Sequence, residues 1–572
     1  MNKLYPVYTL KNECHDCYKC VRECHVKAIK IENGHASVIS DKCIACGNCV
    51  KTCPANAKRV RYDIEKVKTL FRAQKDVYVS LAPSWIGAFD LSSSKIIGLL
   101  KKLGFKAVSE TALGAQEVSI KTAQLLKEAD KELLISSACP VIVDYIRKYN
   151  PEYAKNITPI ASPAITHAKL LKEQYGDNIS VVFVGPCIAK KNEADRHPDL
   201  ISAALTFEEL KFWISEEFID LAEIKEDPKN VFVPEGSYEG ALYPLEGGMN
   251  ETIKKVGIEK DVQLINISSI NTFENSLKGF SENNLKKTVF IEALACDGGC
   301  IAGPGFSTKK AGITIASDIL SKTREREEVP QEAKVVVEEQ FDIQPIENVE
   351  YPLDDILKAM KKIGKHKESD ELNCGGCGYP TCRDLAKALI SGEAEPSMCV
   401  SYMRKIAMRK AAAMLRCMPA AIVMVDQDLR VVEANDAFMR MFCGDMYEIF
   451  AARQDGLVGA AIDRIVNFSD IFKKALKSGK DIHKDRFPVK NKLYDITAFT
   501  IEKNAIVGAV ITDVTQSEMN REKISQRAQE VITKNIAIVQ DIAKLLGEHM
   551  VETELLLSSI SHDFDDDSED ND

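Results

Sequence analysis

The chain has 572 residues, 45% of them hydrophobic and 28% charged, with a formal net charge of −10 and 18 cysteines. That length predicts several domains, each able to bury its own core, and the negative balance excludes the basic surface that a nucleic-acid partner favours. No apolar stretch is long enough to suggest a membrane span. The opening residues, MNKLYPVYTLKNEC, lack the apolar core of a secretory signal, so a cytoplasmic location is expected. In that reducing compartment C-x-x-C repeats read as metal ligands rather than disulfides.

Sixteen of the cysteines fall into three groups, leaving Cys417 and Cys443, which read as packing residues. The first group is a doubled run: Cys14, Cys17, Cys20 and Cys24, then Cys43, Cys46, Cys49 and Cys53 with Pro54 behind it. This is the two-cluster ferredoxin spacing, in which the fourth cysteine of each run serves the other cluster. One [4Fe–4S] cluster is therefore expected on Cys14, Cys17, Cys20 and Cys53, and a second on Cys43, Cys46, Cys49 and Cys24. His25 stands where the first run would usually have proline. A pair of zinc sites is the competing reading, although zinc prefers paired C-x-x-C units to triplets.

From 77 to 365 apolar runs alternate with helical stretches, an α/β pattern. Strands are expected at 77–81, 132–136, 180–184 and 288–294. They lead into Ala82-Pro83-Ser84, Cys139, Cys187 and Cys296 respectively, with Cys300 one loop further on. Open α/β sheets gather their sites at the carboxyl ends of strands. These four cysteines can therefore converge on one buried cluster; simple core packing is the alternative.

On these residues the chain resembles an [FeFe]-hydrogenase with an accessory ferredoxin domain, over residues 1 to about 310. The family's signatures T-S-C-C-P, M-P-C-x-x-K-x-x-E and E-x-M-A-C-x-x-G-C-x-x-G correspond to SSACP (136–140), GPCIAKKNE (185–193) and EALACDGGCIAG (292–303). APS at 82–84, SP at 162–163 and EGGMNE at 246–251 are weaker echoes. The resemblance implies that Cys139, Cys187, Cys296 and Cys300 hold the cubane half of an H-cluster. It makes Cys300 the bridge to a di-iron half with carbonyl, cyanide and a dithiolate amine, the seat of H₂ ⇌ 2H⁺ + 2e⁻. It also implies that Lys190 lies beside one cyanide with Glu193 able to pair with it on one helical turn, and that Ser84 hydrogen-bonds the other.

The departures from the family bear on function. Ala138 replaces the cysteine that relays protons to the bridging amine, and a methyl group neither donates nor accepts. Lys121 and Thr122 fall where the relay has glutamates. Ser162 fits the relay's serine or shapes a turn, Gly185 and Leu294 replace methionines beside the di-iron half, and Asp297 replaces a small residue or proline. Ligands retained and relay lost read as a site that binds hydrogen but turns it over slowly.

The last cysteine group, Cys374, Cys377, Cys382 and Cys399, resembles the four-cysteine module of Rnf-type electron-transfer proteins, which holds one [4Fe–4S] cluster. A Cys₄ zinc site is the alternative. Residues 421–442 read as strand, DQD turn, strand, and a helix beginning near Asn435-Asp436, with a closing strand at 505–515. This resembles a PAS domain, whose ligand is left open. Beyond it Ile524, Val531, Ile538 and Leu545, interleaved with Ala528, Asn535 and Ile542, follow a heptad. They predict a dimeric coiled coil, or else an amphipathic helix packed on its own PAS domain. The run DFDDDSEDND reads as a solvated tail. His562 has no ATP-binding domain after it, so no kinase activity is expected.

The expected organisation is thus multidomain α/β and α+β: a ferredoxin-like 2[4Fe–4S] domain (1–65), an α/β hydrogenase H-cluster domain (75–365) and a small FeS module (366–402). A PAS domain (416–516), a C-terminal coiled-coil helix (517–561) and an acidic disordered tail (562–572) complete it. The expected function is a hydrogen or redox sensor. H₂ and protons are its small partners, a ferredoxin its redox partner, and a kinase, phosphatase or regulator its listener; the chain is expected to be a homodimer that needs hydrogenase maturation factors. A catalytic ferredoxin-linked hydrogenase and a non-catalytic iron–sulfur scaffold are the alternatives.

Overall fold

The computed structural model describes residues 5–565 apart from 259–260, 283–284, 325, 327–328, 348 and 454. The chain divides into two compact units, residues 1–403 and 404–572. The last seven residues of the acidic run, 566–572, lie outside the described residues. Among the described residues no helix is long and apolar enough to cross a membrane.

In the first unit β1 (Val7–Thr9) pairs antiparallel with β4 (Lys58–Val60), and β2 (Ile29–Glu32) with β3 (His35–Val38). The two cysteine runs form matching turns, each followed by a short helix, Lys19–Arg22 and Asn48–Thr52. Each helix is preceded by one residue in the left-handed region, Tyr18 at φ 55° and Gly47 at φ 78°. Only the second position is closely approached: a Cβ on Gly47 would stand 2.5 Å from Pro304 Cβ. His25 bonds Asn48 Nδ2 at 2.8 Å, so the residue in proline's place ties the two runs together.

Seven strands follow in the α/β part: β5 (Val77–Leu81), β6 (Ala107–Glu110), β7 (Leu133–Ile135), β8 (Ser180–Gly185), β9 (Ala203–Thr206), β10 (Val262–Ser268) and β11 (Thr288–Leu294). All four expected strands are present. They belong to two separate parallel sheets, one ordered β6-β5-β8-β9 and the other β10-β11-β7. Every residue of β5, β8 and β11 is buried, which explains why they read as continuous apolar runs: parallel strands are covered on both faces. Of the third cysteine group, Cys374 and Cys377 lie between the helices Leu353–Lys362 and Cys382–Ile390, Cys382 begins the second helix and Cys399 follows it; Cys377, Cys382 and Cys399 share a core with the first cysteine run.

A buried ion network ties the N-terminal region to the α/β part. Lys191 is fully buried, its Nζ 3.1 Å from Asp63 and 2.7 Å from Glu209, and it donates to the Ala204 carbonyl at 2.7 Å. Arg61 pairs with both Asp63 and Asp195. Burial alone would raise Asp63, but Lys191 and Arg61 hold it below the usual carboxylate range.

In the second unit β12 (Ala421–Asp426), β13 (Val431–Ala434), β14 (Ile482–Val489), β15 (Lys492–Glu502) and β16 (Ile506–Asp513) form one antiparallel sheet ordered β13-β12-β16-β15-β14. Asn435 is buried and caps the helix Asp436–Phe442, accepting from the Phe438 and Ile422 amides at 2.9 Å each, as its position in the sequence predicts. Cys443 lies against the PAS core. Cys417 is exposed in the last turn of the helix Val400–Cys417, which corrects the expectation that it packs. A single helix, Thr515–Asp565, closes the chain, and Ile524, Val531, Ile538 and Leu545 are exposed along it.

Replacing Lys191 by methionine leaves the fully buried Glu209 without its cation and Asp63 with Arg61 and Lys66 alone, and we expect a stability loss of about 3–5 kcal/mol in denaturant titrations of the cluster-loaded chain. Because Asp63 is held low, its share of that stability is present at neutral pH and fades as pH falls through its depressed pKa. A Lys191→Met loss under about 1 kcal/mol would contradict this account.

Candidate metal centre

The carboxyl ends of the two parallel sheets meet at one cavity of about 110 Å³. From the first sheet, β5 delivers Pro83 and Ser84, and β8 delivers Cys187 and, on the helix that follows, Lys190. From the second, β7 delivers Ala138 and Cys139, and β11 delivers Cys296 with Cys300 beyond it. All four cysteines are free and partly exposed, and all four line the cavity. Burial pushes the Cys187 thiol up to about 11 and raises Cys139, Cys296 and Cys300; after burial, Cys139 and Cys187 are the next causes of the rise at Cys300. Such a set is costly to ionise unless a cation binds it.

Two polar groups fit an anionic metal cofactor there. Ser84 is fully buried and its Oγ has no hydrogen-bond partner among the described residues, an orphan that a bound acceptor would satisfy. Lys190 is buried, donates to Glu193 at 2.6 Å and to Ser162 Oγ at 2.8 Å, and lowers Cys139, Cys187 and Cys300. Glu193 pairs with Lys190 as its place one turn on predicts.

The structure places all three positions expected to differ from a proton relay. Ala138 presents a methyl to the cavity. Lys121 pairs with Glu338 at 2.8 Å, and Thr122 Oγ1 donates back into its own helix, to the Val118 carbonyl at 2.7 Å. Ser162 caps the helix Pro163–Tyr175 while accepting from Lys190, so both readings of it, turn-shaper and polar neighbour of the cavity, hold in part.

Several wall residues escaped the sequence reading. A Cβ on Gly185 would stand 2.5 Å from the Phe183 ring. The glycine in methionine's place thus makes room for an aromatic two residues earlier, on the same face of the strand; the large–small spacing F-x-G is the available signal. Tyr243 also lines the cavity and shares a 2.8 Å hydrogen bond with Ser119. Glu292, inside the EALAC motif, is buried; burial pushes it up to about 7 although it accepts the Asn250 amide at 3.0 Å.

The other cysteines gather as their spacing suggests. Cys20 feels the thiols of Cys14, Cys17 and Cys53, and Cys49 those of Cys43, Cys46 and Cys24, in each case after burial and Lys58. Cys46 and Asn48 share a surface cavity with Cys296 and Asp297, so the second run faces the metal-centre loop. Cys377, Cys382 and Cys399 are buried together, and Cys377 feels Cys399 and Cys374.

Four family models match the chain: the C-terminal domain of the iron-only hydrogenase large subunit over 75–304, a 4Fe-4S dicluster domain over 6–54, a putative Fe-S cluster over 370–401 and a PAS domain over 409–478. Iron hydrogenase 1 of Clostridium pasteurianum is 26% identical over 366 residues, which cover 52% of this chain and 64% of that protein. The NADP-reducing hydrogenase subunit HndD of Solidesulfovibrio fructosivorans is 27% identical over 327 residues, covering 46% of this chain and 55% of that one. The match therefore spans between about half and two thirds of these relatives' length. Among solved structures, an [FeFe]-hydrogenase of Chlamydomonas reinhardtii aligns with 49% of this chain and all of its own at 17% identity and a TM-score of 0.37. Residues 75–304 thus match the C-terminal domain of the iron-only hydrogenase large subunit, and the chain joins that region to matches for a 4Fe-4S dicluster domain, a further Fe-S module and a PAS domain.

Proposed function

We propose that this chain is a sensory [FeFe]-hydrogenase-like protein. It binds H₂, or turns it over slowly by H₂ ⇌ 2H⁺ + 2e⁻, and relays its redox state through [4Fe–4S] clusters to the PAS domain and the closing helix. One observation supports the reading: the cavity holds four thiols, a buried lysine and an orphaned serine, and Ala138, a methyl, lines it at the position that the resemblance gives to a proton-relaying cysteine.

An H-cluster, when bound, supplies the metal–hydrogen chemistry. The protein's part is to hold and surround it. Cys139, Cys187, Cys296 and Cys300 would hold it, with Cys300 serving both of its halves as the resemblance implies. The Lys190 ammonium, held by Glu193 and Ser162, offsets anionic charge where water is excluded, and Ser84 donates to a ligand atom. Phe183, Pro83 and Pro140 keep the cavity apolar. Two more clusters belong to the dicluster domain and one to Cys374, Cys377, Cys382 and Cys399.

A sensor needs occupancy or redox state to bias a two-state element and does not need high flux. Slow proton delivery is compatible with that role and costly to a catalyst. The exposed heptad of the helix Thr515–Asp565, with Asn535 in its seam, supports a parallel homodimer, through which a kinase, phosphatase or regulator would be engaged. A ferredoxin would serve as redox partner, maturation factors would install the di-iron half, and a reducing cytoplasm would keep the thiols available. The complete dicluster domain favours a second reading, a ferredoxin-linked catalytic hydrogenase, which would have the specific activity of catalytic family members.

After maturation, infrared bands of metal-bound carbonyl and cyanide are expected; their absence sinks both hydrogenase readings and leaves an iron–sulfur scaffold. Ala138→Cys should raise H₂ turnover more than about tenfold if the missing donor is the limit. An unchanged rate would move the limit to Lys121, Thr122 and the rebuilt wall. Ile538→Glu, which puts a charge into the heptad seam, should convert the dimer to monomer in sedimentation with the cluster spectra unaltered. A monomeric wild-type chain would refute the coiled coil.

A further inference from the structure

The first cysteine run and the four-cysteine module are in close contact. Val21, Cys24 and Ile29 share one core with Cys377, Leu385 and Cys399. A Cβ on Gly378, which has φ 96°, would stand 3.1 Å from the Arg22 amide nitrogen and 3.0 Å from Val21 Cγ1. The Ile31 amide donates to the Glu393 carbonyl at 2.9 Å, closing the seam with a backbone bond.

Lys27 reaches into this seam. Its backbone is left-handed at φ 49°, a conformation that non-glycine residues rarely adopt. The turn carries its side chain back over the end of the helix Lys19–Arg22, where Nζ donates to the carbonyls of Val21 at 3.1 Å and Arg22 at 3.3 Å. Helix C-termini favour a cation, and those two bonds fix where this one sits. Burial lowers Lys27; Cys24, then Cys377, then Glu23 act against it. Its two acceptors, Val21 and Arg22, are the residues against which Gly378 packs, so the ammonium sits at the contact between the two cysteine groups.

We propose that Lys27 is a positioning residue shared by two cluster sites: its ammonium lies between the cluster of Cys24, Cys43, Cys46 and Cys49 and that of Cys374, Cys377, Cys382 and Cys399, and it sets both reduction potentials together. The proposal rests on the cluster assignments above. Each cluster gains negative charge on reduction, so a fixed cation nearby favours the reduced form of both. It also offsets the repulsion that one reduced cluster exerts on its neighbour. Since the Cys46 turn faces the Cys296 loop, the Cys24 cluster becomes a junction. One side leads to the metal centre, and the other to the module whose last cysteine, Cys399, immediately precedes the helix Val400–Cys417.

The test uses the full chain produced without maturation factors, so that only cubanes are loaded, titrated electrochemically and followed by EPR. Cys46→Ser and Cys377→Ser variants assign the signals. Lys27→Gln is expected to shift the midpoints of those two clusters downward and leave that of Cys14, Cys17, Cys20 and Cys53 unmoved; Lys27→Arg is expected to restore them. An unchanged pair, a shift in only one member, or an equal shift in every cluster overturns the proposal. Should the glutamine variant fail to load iron, the wild-type chain still decides. Its reduced spectrum must carry a magnetic interaction that disappears in Cys377→Ser, and without it the shared site is refuted. Infrared bands play no part in this experiment, so failure of the hydrogen chemistry leaves its result standing, whereas loss of the cubanes themselves ends both.

Discussion

Four thiols that must share one cavity come from strand ends divided between two parallel sheets, and the rest of the first unit is arranged around that requirement. β7 and β11 bring Cys139 and Cys296 from one sheet, and β8 brings Cys187 from the other. Packed without a metal, these sulfurs are dehydrated and raise one another's pKa. The site is therefore costly to ionise, and only a strongly bound, positively charged centre makes good that cost. Continuously apolar strands supply the rigid frame that keeps the four groups in register.

Charge is distributed with similar economy. Lys190 and Lys191 are neighbours on one short helix yet do separate work. Lys190 faces the cavity and is steadied by Glu193 and Ser162, whereas Lys191 points the other way into a fully buried cage of Asp63 and Glu209. One cation serves the centre and the other fastens the N-terminal region to the α/β frame. The departures along the former relay are just as coherent. Ala138 offers a methyl, Lys121 an outward ion pair and Thr122 a hydroxyl turned into its own helix, while four cysteines still line the cavity.

Much of this was legible in the chain itself. The cysteine spacings announced the three groups, and the strands at 77–81 and 288–294 coincide with their predicted limits because β-rich apolar runs bounded by Gly, Pro or Cys admit few alternatives. Asn435 announced its helix for the same local reason. Other features left no local signal. Phe183 lines the cavity only because Gly185 leaves room across the strand face, and the packing of the last module on the first cysteine run joins residues more than three hundred positions apart. Cys417, expected to pack, proved exposed at the end of a helix that has no buried residue.

Spacing picked out the first and last cysteine groups as candidate metal ligands, because a cubane takes four thiolates, whereas Cys139, Cys187, Cys296 and Cys300 were marked by strand ends and the resemblance. Residue type also determined that Ala138 cannot pass a proton, because a methyl has neither donor nor lone pair. Which sheet carries each ligand, which of two adjacent lysines enters the cavity, and which cysteine groups stand close enough to feel one another were decided by tertiary structure. These depend on burial and on contacts between distant segments, and such long-range terms leave no trace in the order of neighbouring residues.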